Sequence, residues 1–283
     1  MIYTCSYHNK RKIVYVKKKI ILGILSLLSV VTLVACGSSD KQLQDKVEKK
    51  GKLVLAVSPD YAPFEFKALV NGKDKVVGAD IELAQAIADE LHVKLEVSPM
   101  SFDNVLSSLQ TGKADMAISG LSYTKERAKV YDFSKPYYTT ENAVLVRKSD
   151  LGKYTSIESL KGKKIAVQKG SIEEGVSKKS FKNSHVVSLT AMGEAISELK
   201  SGKVEAVDLE KPVAEGYLAQ NPDLVLAKFA LKTGEGDAKA VALPKDSGKM
   251  LKTVNKVIKR LEKEDKYKVY ISDAAKLTGN QVE

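Results

Sequence analysis

Leu109-Gln110-Thr111-Gly112-Lys113-Ala114-Asp115 and Leu199-Lys200-Ser201-Gly202-Lys203-Val204-Glu205 share one pattern. In each, a leucine closes a helix, a glycine stands where a left-handed C-cap is needed, and an acid opens the next strand. Outward from the first copy, Val105, Leu106 and Leu109 predict a short helix and residues 115–119 a strand. Around the second, Ile196 and Leu199 predict the helix and residues 204–209 the strand. Residues 53–57 form a continuous apolar run, the mark of a parallel strand buried on both faces. Asp80 stands as N-cap of a helix whose Ile81, Ala84, Ile87 and Leu91 share a stripe. Further strands are expected at 93–97, 143–146, 164–167 and 239–243, the last followed by Pro244 and a helix carrying Leu251, Val254, Val257, Ile258 and Leu261. Recurring β-α units of this kind predict an α/β fold of two lobes, each a mainly parallel sheet flanked by helices.

The chain of 283 residues is 43% hydrophobic and 29% charged, enough for two domains with their own cores. Trp is absent and Cys occurs twice, which excludes a disulfide scaffold and a cysteine-rich zinc site. The three histidines show no metal-ligand spacing, so neither a metal nor a cofactor is expected. The net charge of +11 is unevenly placed: residues 1–35 hold six Lys/Arg and no acid, leaving +5 on the remainder. There the two signs are mixed and no basic stripe is interleaved with aromatics, so no nucleic-acid partner is expected. Neither G-x-S-x-G nor H-E-x-x-H occurs. Gly170-Ser171-Ile172-Glu173-Glu174-Gly175 has P-loop glycine spacing without the lysine that should follow. Gly234-Glu235-Gly236 lacks the third glycine of a dinucleotide site.

Lys17-Lys18-Lys19 precede a nearly apolar run, residues 20–35, of signal-peptide length and short of the ~20 residues that span a bilayer. It ends in Leu33-Val34-Ala35-Cys36-Gly37, which resembles a bacterial lipobox, where the cysteine thiol is lipidated. The expectation is a signal peptide over 1–35, translated from Val16, and a lipid on Cys36 that anchors the chain on the outer face of a Gram-positive type cell membrane. Residues 37–50 are polar but for Leu43 and Val47, and read as a tether with room for a short helix that joins no core.

A site for a free amino acid must supply a fork of donors for the carboxylate, an acceptor for the ammonium, and a pocket that sheds water. Ala117-Ile118-Ser119-Gly120-Leu121-Ser122-Tyr123-Thr124-Lys125-Glu126-Arg127 meets the first demand: a buried strand ends at Ser119, Ser122 or Thr124 caps the next helix, and Arg127 lies in its first turn. A cation there is unfavourable unless an anion is held with it.

This stretch resembles the ligand-binding signature of the polar amino-acid family of solute-binding proteins that serve ABC importers. The same resemblance extends over residues 51 to about 275 through Ser58-Pro59-Asp60-Tyr61-Ala62-Pro63-Phe64-Glu65-Phe66, Gly78-Ala79-Asp80-Ile81-Glu82-Leu83, Tyr131-Asp132-Phe133-Ser134-Lys135-Pro136-Tyr137-Tyr138 and Leu160-Lys161-Gly162-Lys163-Lys164-Ile165-Ala166-Val167. It implies a periplasmic-binding-protein-like fold: lobe 1 over 51–140, lobe 2 over 141–238, a return to lobe 1 over 239–283, and a two-strand hinge between them.

By the same resemblance Tyr61 and Phe102 sandwich the ligand side chain, Ser58, Ser119, Gly120 and Ser122 line lobe 1, and Arg127 grips the α-carboxylate. Gln168, Gly170 and Ser171 meet the ligand from lobe 2, and Glu210 accepts the ammonium. The family usually has Asp at Glu210, and Asp208 stands two residues away in the same strand, so either acid could serve. The implied ligand is a polar L-amino acid, arginine or glutamine before lysine, histidine and cystine, with Glu65, Asp60 or Glu173 as counter-charge for a cationic side chain. The implied partners are an ABC permease and its ATPase, with the binding protein a monomer. The alternative is an enzyme of cyclohexadienyl-dehydratase type on the same scaffold.

Overall fold

The computed structural model describes residues 42–280; the expected signal peptide, the lipobox with Cys36 and the start at Val16 lie outside the described residues. Lobe 1 is built from α1 (Gln42–Lys50), β1 (Lys52–Val57), β2 (Asp60–Tyr61), β3 (Glu65–Val70), β4 (Lys73–Val77), α2 (Ala79–Glu90), β5 (Lys94–Pro99), α3 (Phe102–Gln110), β6 (Met116–Ala117), α4 (Lys125–Ala128) and β7 (Tyr131–Phe133). After β8 (Tyr138–Thr139) the chain forms lobe 2: β9 (Asn142–Arg147), β10 (Lys164–Gln168), α5 (Ile172–Ser180), β11 (His185–Leu189), α6 (Met192–Ser201), β12 (Ala206–Glu210), α7 (Lys211–Leu218) and β13 (Leu224–Leu226). It then returns through β14 (Ala238–Lys239), β15 (Ala242–Pro244), α8 (Gly248–Lys263) and α9 (Lys266–Leu277).

The two main sheets repeat one plan, as the paired glycine motifs imply. Their strand orders are β5-β1-β6-β15-β7 and β11-β10-β12-β9-β13. In lobe 1, β1 runs parallel to both neighbours, with Leu55 opposite Met116; in lobe 2, β10 does the same, with Ile165 opposite Ala206. Helices cover both faces, so Leu53, Leu55, Ala56 and Val57 are all buried. One antiparallel strand enters each sheet: β15 between β6 and β7, β9 between β12 and β13. The chain crosses between lobes as the antiparallel ribbon β8–β14. In parallel sheets the helix N-termini gather at the carboxyl ends of the strands, and the ends of β6 and β10 therefore face one another across the cleft.

The expected strand over 239–243 is two strands. Lys239 belongs to the hinge ribbon and Ala242 to the lobe 1 sheet, and between them the Ala240 N–H donates to the Leu121 carbonyl at 2.9 Å. Asp80 is no cap. Helix α2 starts after Gly78 without a side-chain cap, and the fully buried Asp80 accepts from Gly120 N at 2.8 Å, Tyr137 Oη at 2.9 Å and Tyr267 Oη at 2.6 Å. It fastens the loop after β6 to the segment before the hinge and to α9.

The stretch read as a free tether also differs. Residues 42–50 form α1, with Val47 fully buried in the lobe 1 core. Lys50 meets Asp115 at 2.5 Å, Lys249 meets Asp45 at 2.6 Å, and Thr253 donates to Gln44 Oε1 at 3.0 Å. Leu43 and Val47, one helical turn apart, are enough to form an apolar stripe once α8 is there to receive it. Val47→Ala is accordingly expected to lower stability by about 1–2 kcal/mol in urea denaturation; an unchanged midpoint would return this segment to the status of a linker.

Candidate ligand-binding cleft

Arg127 enters the cleft because Thr124 caps the short α4, its Oγ1 accepting from the Arg127 N–H at 3.1 Å. The guanidinium then spans both lobes: Nη1 donates to the Ser122 carbonyl at 2.7 Å and Nη2 to the Gly170 carbonyl at 3.1 Å. On the opposite side Ser171 caps α5, accepting from Glu174 N at 3.1 Å, so the N-terminus of that helix opens toward the cleft at Ile172 and Glu173. Two glycines make this approach possible. Gly120 has φ +51° and a Cβ there would lie 3.1 Å from the Tyr61 ring; Gly170 has φ +81° and a Cβ would lie 3.3 Å from the Asp103 backbone of lobe 1.

The cleft is narrow and is lined by Tyr61, Phe102, Gly120, Ser122 and Arg127 of lobe 1 and Gln168, Ser171, Ile172, Glu173 and Glu210 of lobe 2. A larger hollow beside the hinge, around Tyr137, Tyr138 and Tyr267, contains none of the residues expected at the ligand. The lobes also touch one another directly. Asp103 pairs with Lys169 at 2.8 Å, Asp60 accepts from Met192 N at 2.6 Å, and Tyr217 Oη donates to the Asp60 carbonyl at 3.0 Å.

Of the residues expected at the ligand, eight line the cleft and Gly170 supports Arg127 through its carbonyl. Ser58 and Ser119 stand behind the wall instead. Ser58 N donates to Ser119 Oγ at 2.9 Å, Ser119 Oγ donates to Glu65 Oε1 at 2.8 Å, and Ser58 Oγ donates to Asp60 Oδ1 at 3.1 Å. These hydroxyls are consumed by two buried carboxyls. Asp208 is likewise out of the cleft: it is fully buried and accepts from Ser177 Oγ at 2.5 Å. Between the two acids that the sequence leaves open for the ammonium, only Glu210 reaches the ligand space.

Glu210 has a partner that sequence reasoning missed. Lys239 of the hinge strand, 1% exposed, places Nζ against Glu210 Oε1 and donates to Ser122 Oγ at 2.6 Å. The other oxygen, Oε2, is buried with no hydrogen-bond partner among the described residues. A buried ammonium demands a counter-charge, so the signal was a lone lysine inside the apolar run Ala238-Lys239-Ala240-Val241-Ala242-Leu243. Burial nonetheless pulls Lys239 down to about 8, against the nearby charge of Glu173.

Buried acids surround Tyr61. Burial pushes its hydroxyl well above the ordinary tyrosine value, and the charges of Glu173, Glu65, Asp60 and Asp208 push in the same direction. Burial also holds the carboxyls of Glu65 and Asp208 well above the usual carboxylate range. A group raised in the folded chain contributes stability that is complete below its unfolded value and is lost as pH rises through its folded value. Asp103 beside Lys169 and Asp150 beside Lys153 are held low, and their contribution is lost only at more acidic pH. The melting temperature is therefore expected to fall as pH rises from about 5 to about 8, and Glu65→Gln to flatten that fall. A melting temperature that climbs over this window would show that these carboxyls are ionised in the fold.

Comparison with known proteins decides the family. The model of the bacterial extracellular solute-binding proteins, family 3, matches residues 53–273. The chain belongs to this family. Among family 3 relatives, the arginine-binding extracellular protein ArtP of Bacillus subtilis (strain 168) is 35% identical over 250 residues, covering 87% of this chain and 93% of ArtP. A crystal structure of an amino acid ABC transporter substrate-binding protein from Streptococcus pneumoniae Canada MDR_19A, bound to L-arginine, superposes with a TM-score of 0.82 at 52% identity, covering 85% of this chain and 99% of that one. The ancestral amino-acid-binding protein AncCDT-1, a precursor of cyclohexadienyl dehydratase, has a TM-score of 0.74 at 34% identity, covering 81% and 98%. All three relatives are amino-acid-binding proteins, the Streptococcus pneumoniae one of an ABC transporter, and the α/β architecture is shared with the two superposed structures.

Proposed function

We propose that the protein captures L-arginine between its lobes outside the cell, held to the membrane by a lipid on Cys36, and delivers it to an ABC permease and its ATPase. The observation that carries this reading is the charge lining the cleft: a guanidinium fork at Arg127 together with the carboxylates of Glu173 and Glu210, around the aromatic rings of Tyr61 and Phe102. The fork suits an α-carboxylate, which the N-terminus of α5 assists. The unpartnered Oε2 of Glu210 suits the ammonium. A flat guanidinium suits an aromatic wall beside the Glu173 carboxylate, which the neutral amide of glutamine would leave without a hydrogen-bonded counter-charge.

Capture works by closure. Arg127 and Gly120 belong to lobe 1, Gln168, Ser171 and Glu210 to lobe 2, so a ligand gains both sets of contacts only when the lobes are shut. Moving a mostly open population to a mostly closed one needs ~5 kcal/mol of differential affinity, within the range of a desolvated charge pair. The test is a thermal-shift screen of the twenty amino acids with ornithine and cystine, followed by calorimetry. Arginine is expected to give the largest shift; glutamine ranking first would overturn the choice of ligand, and silence from every amino acid would overturn the reading itself.

A further inference from the structure

Four acids stand near Tyr61, and three of them are already engaged. Asp60 accepts from Met192 N, Ser58 Oγ and, at 3.4 Å, Gln168 Nε2. Glu65 accepts from Ser119 Oγ and Asp208 from Ser177 Oγ, and neither lines the cleft. The fourth is Glu173. It lies in the first turn of α5, is 5% exposed, and lines the cleft beside Tyr61, Phe102 and Arg127. Among the described residues none donates a hydrogen bond to its carboxylate, although its charge acts on Arg127 and Lys239 nearby.

Glu210, the other acid of the cleft, is different in kind. Lys239 answers its charge, and Oε2 alone remains for a small donor. A carboxylate enclosed in a protein without a hydrogen-bonding or ion-pair partner is costly unless something that enters the site supplies one. The N-terminus of α5 offsets part of that cost by its positive end, but a helix end gives no hydrogen bond to a side chain pointing away from it into the cleft.

Resting on the proposed capture of arginine, we infer that Glu173 is the residue that selects a cationic side chain, its carboxylate receiving the ligand guanidinium, while Glu210 is reserved for the α-ammonium. The division of labour follows from charge. Glu210 is paired directly with Lys239 and keeps one oxygen for an ammonium, whereas Glu173, whose charge reaches Arg127 and Lys239 without a hydrogen bond to either, keeps its carboxylate for a cationic side chain.

L-citrulline is the probe, because it keeps the shape of arginine and replaces the guanidinium by a neutral ureido group. Calorimetry with both ligands is expected to show wild-type protein preferring arginine by at least roughly 30-fold. Glu173→Gln is expected to bring the arginine-to-citrulline affinity ratio to within about threefold of one, and Glu173→Asp, which keeps the charge one methylene further back, to retain part of the preference. Thermal melts accompany each variant. A ratio that survives Glu173→Gln, or arginine and citrulline losing equally, overturns the assignment. So does a wild-type ratio near one, which needs no variant and leaves amino-acid capture standing. Wild-type protein that binds neither compound overturns the arginine reading beneath it.

Discussion

Arg127→Ala is expected to abolish L-arginine binding in calorimetry while the far-UV circular dichroism spectrum stays native. The guanidinium is half-buried, capped into place by Thr124, and joined to a carbonyl of each lobe. Its loss removes the only fork lining the cleft for a carboxylate and one bond across the closed lobes together. Truncating one side of a desolvated charge pair costs about 2–5 kcal/mol or more, a loss of roughly 30-fold to several thousandfold. Arg127→Lys should rescue little, since a point charge reproduces neither the two-oxygen grip nor the reach to both carbonyls. The fold has no comparable stake in this side chain, because Thr124 caps the backbone and not the guanidinium. Micromolar affinity retained in the alanine variant would show that the carboxylate is held elsewhere.

Glu210→Gln is expected to weaken arginine by ~2–5 kcal/mol and also to destabilise the protein, because it strands Lys239 without its counter-charge. The two effects separate in a cycle. Glu210→Gln with Lys239→Met removes both charges, so much of the lost melting temperature should return while arginine binding does not. Asp208→Asn should move binding far less, since Asp208 faces Ser177 behind the sheet and not the cleft. If Asp208→Asn produced the large loss of affinity and Glu210→Gln did not, the ammonium would sit deeper in lobe 2 than Glu210 allows.

The architecture was legible because it is written in local signals. The left-handed glycines Gly112 and Gly202 at helix ends and apolar runs bounded by turns set the β-α units, and the motif around Arg127 brought that side chain into the cleft. What stayed hidden depends on the other lobe or on distant helices. Lys239 alternates with alanines like an edge-strand lysine, and only closure of Glu210 over it turns it inward. Ser58 and Ser119 look like ligand hydroxyls until Asp60 and Glu65 are seen to claim them. Asp80 looks like a cap until Tyr267, 187 residues later, arrives to donate to it. Helix α1 has two apolar residues and no meaning as a core element without α8.

That first helix has a mechanical consequence. Its bonds through Asp45, Gln44 and Lys50 all run to the body formed by β1, β6 and α8. Any pull transmitted through the residues upstream is therefore borne by that half of the clam, which stays put like the base of a stapler. In the proposed capture by closure, with the proposed lipid on Cys36 as anchor, the half carrying Gln168, Ser171 and Glu210 is the swinging arm, and each capture event reorients its surface against a stationary foot.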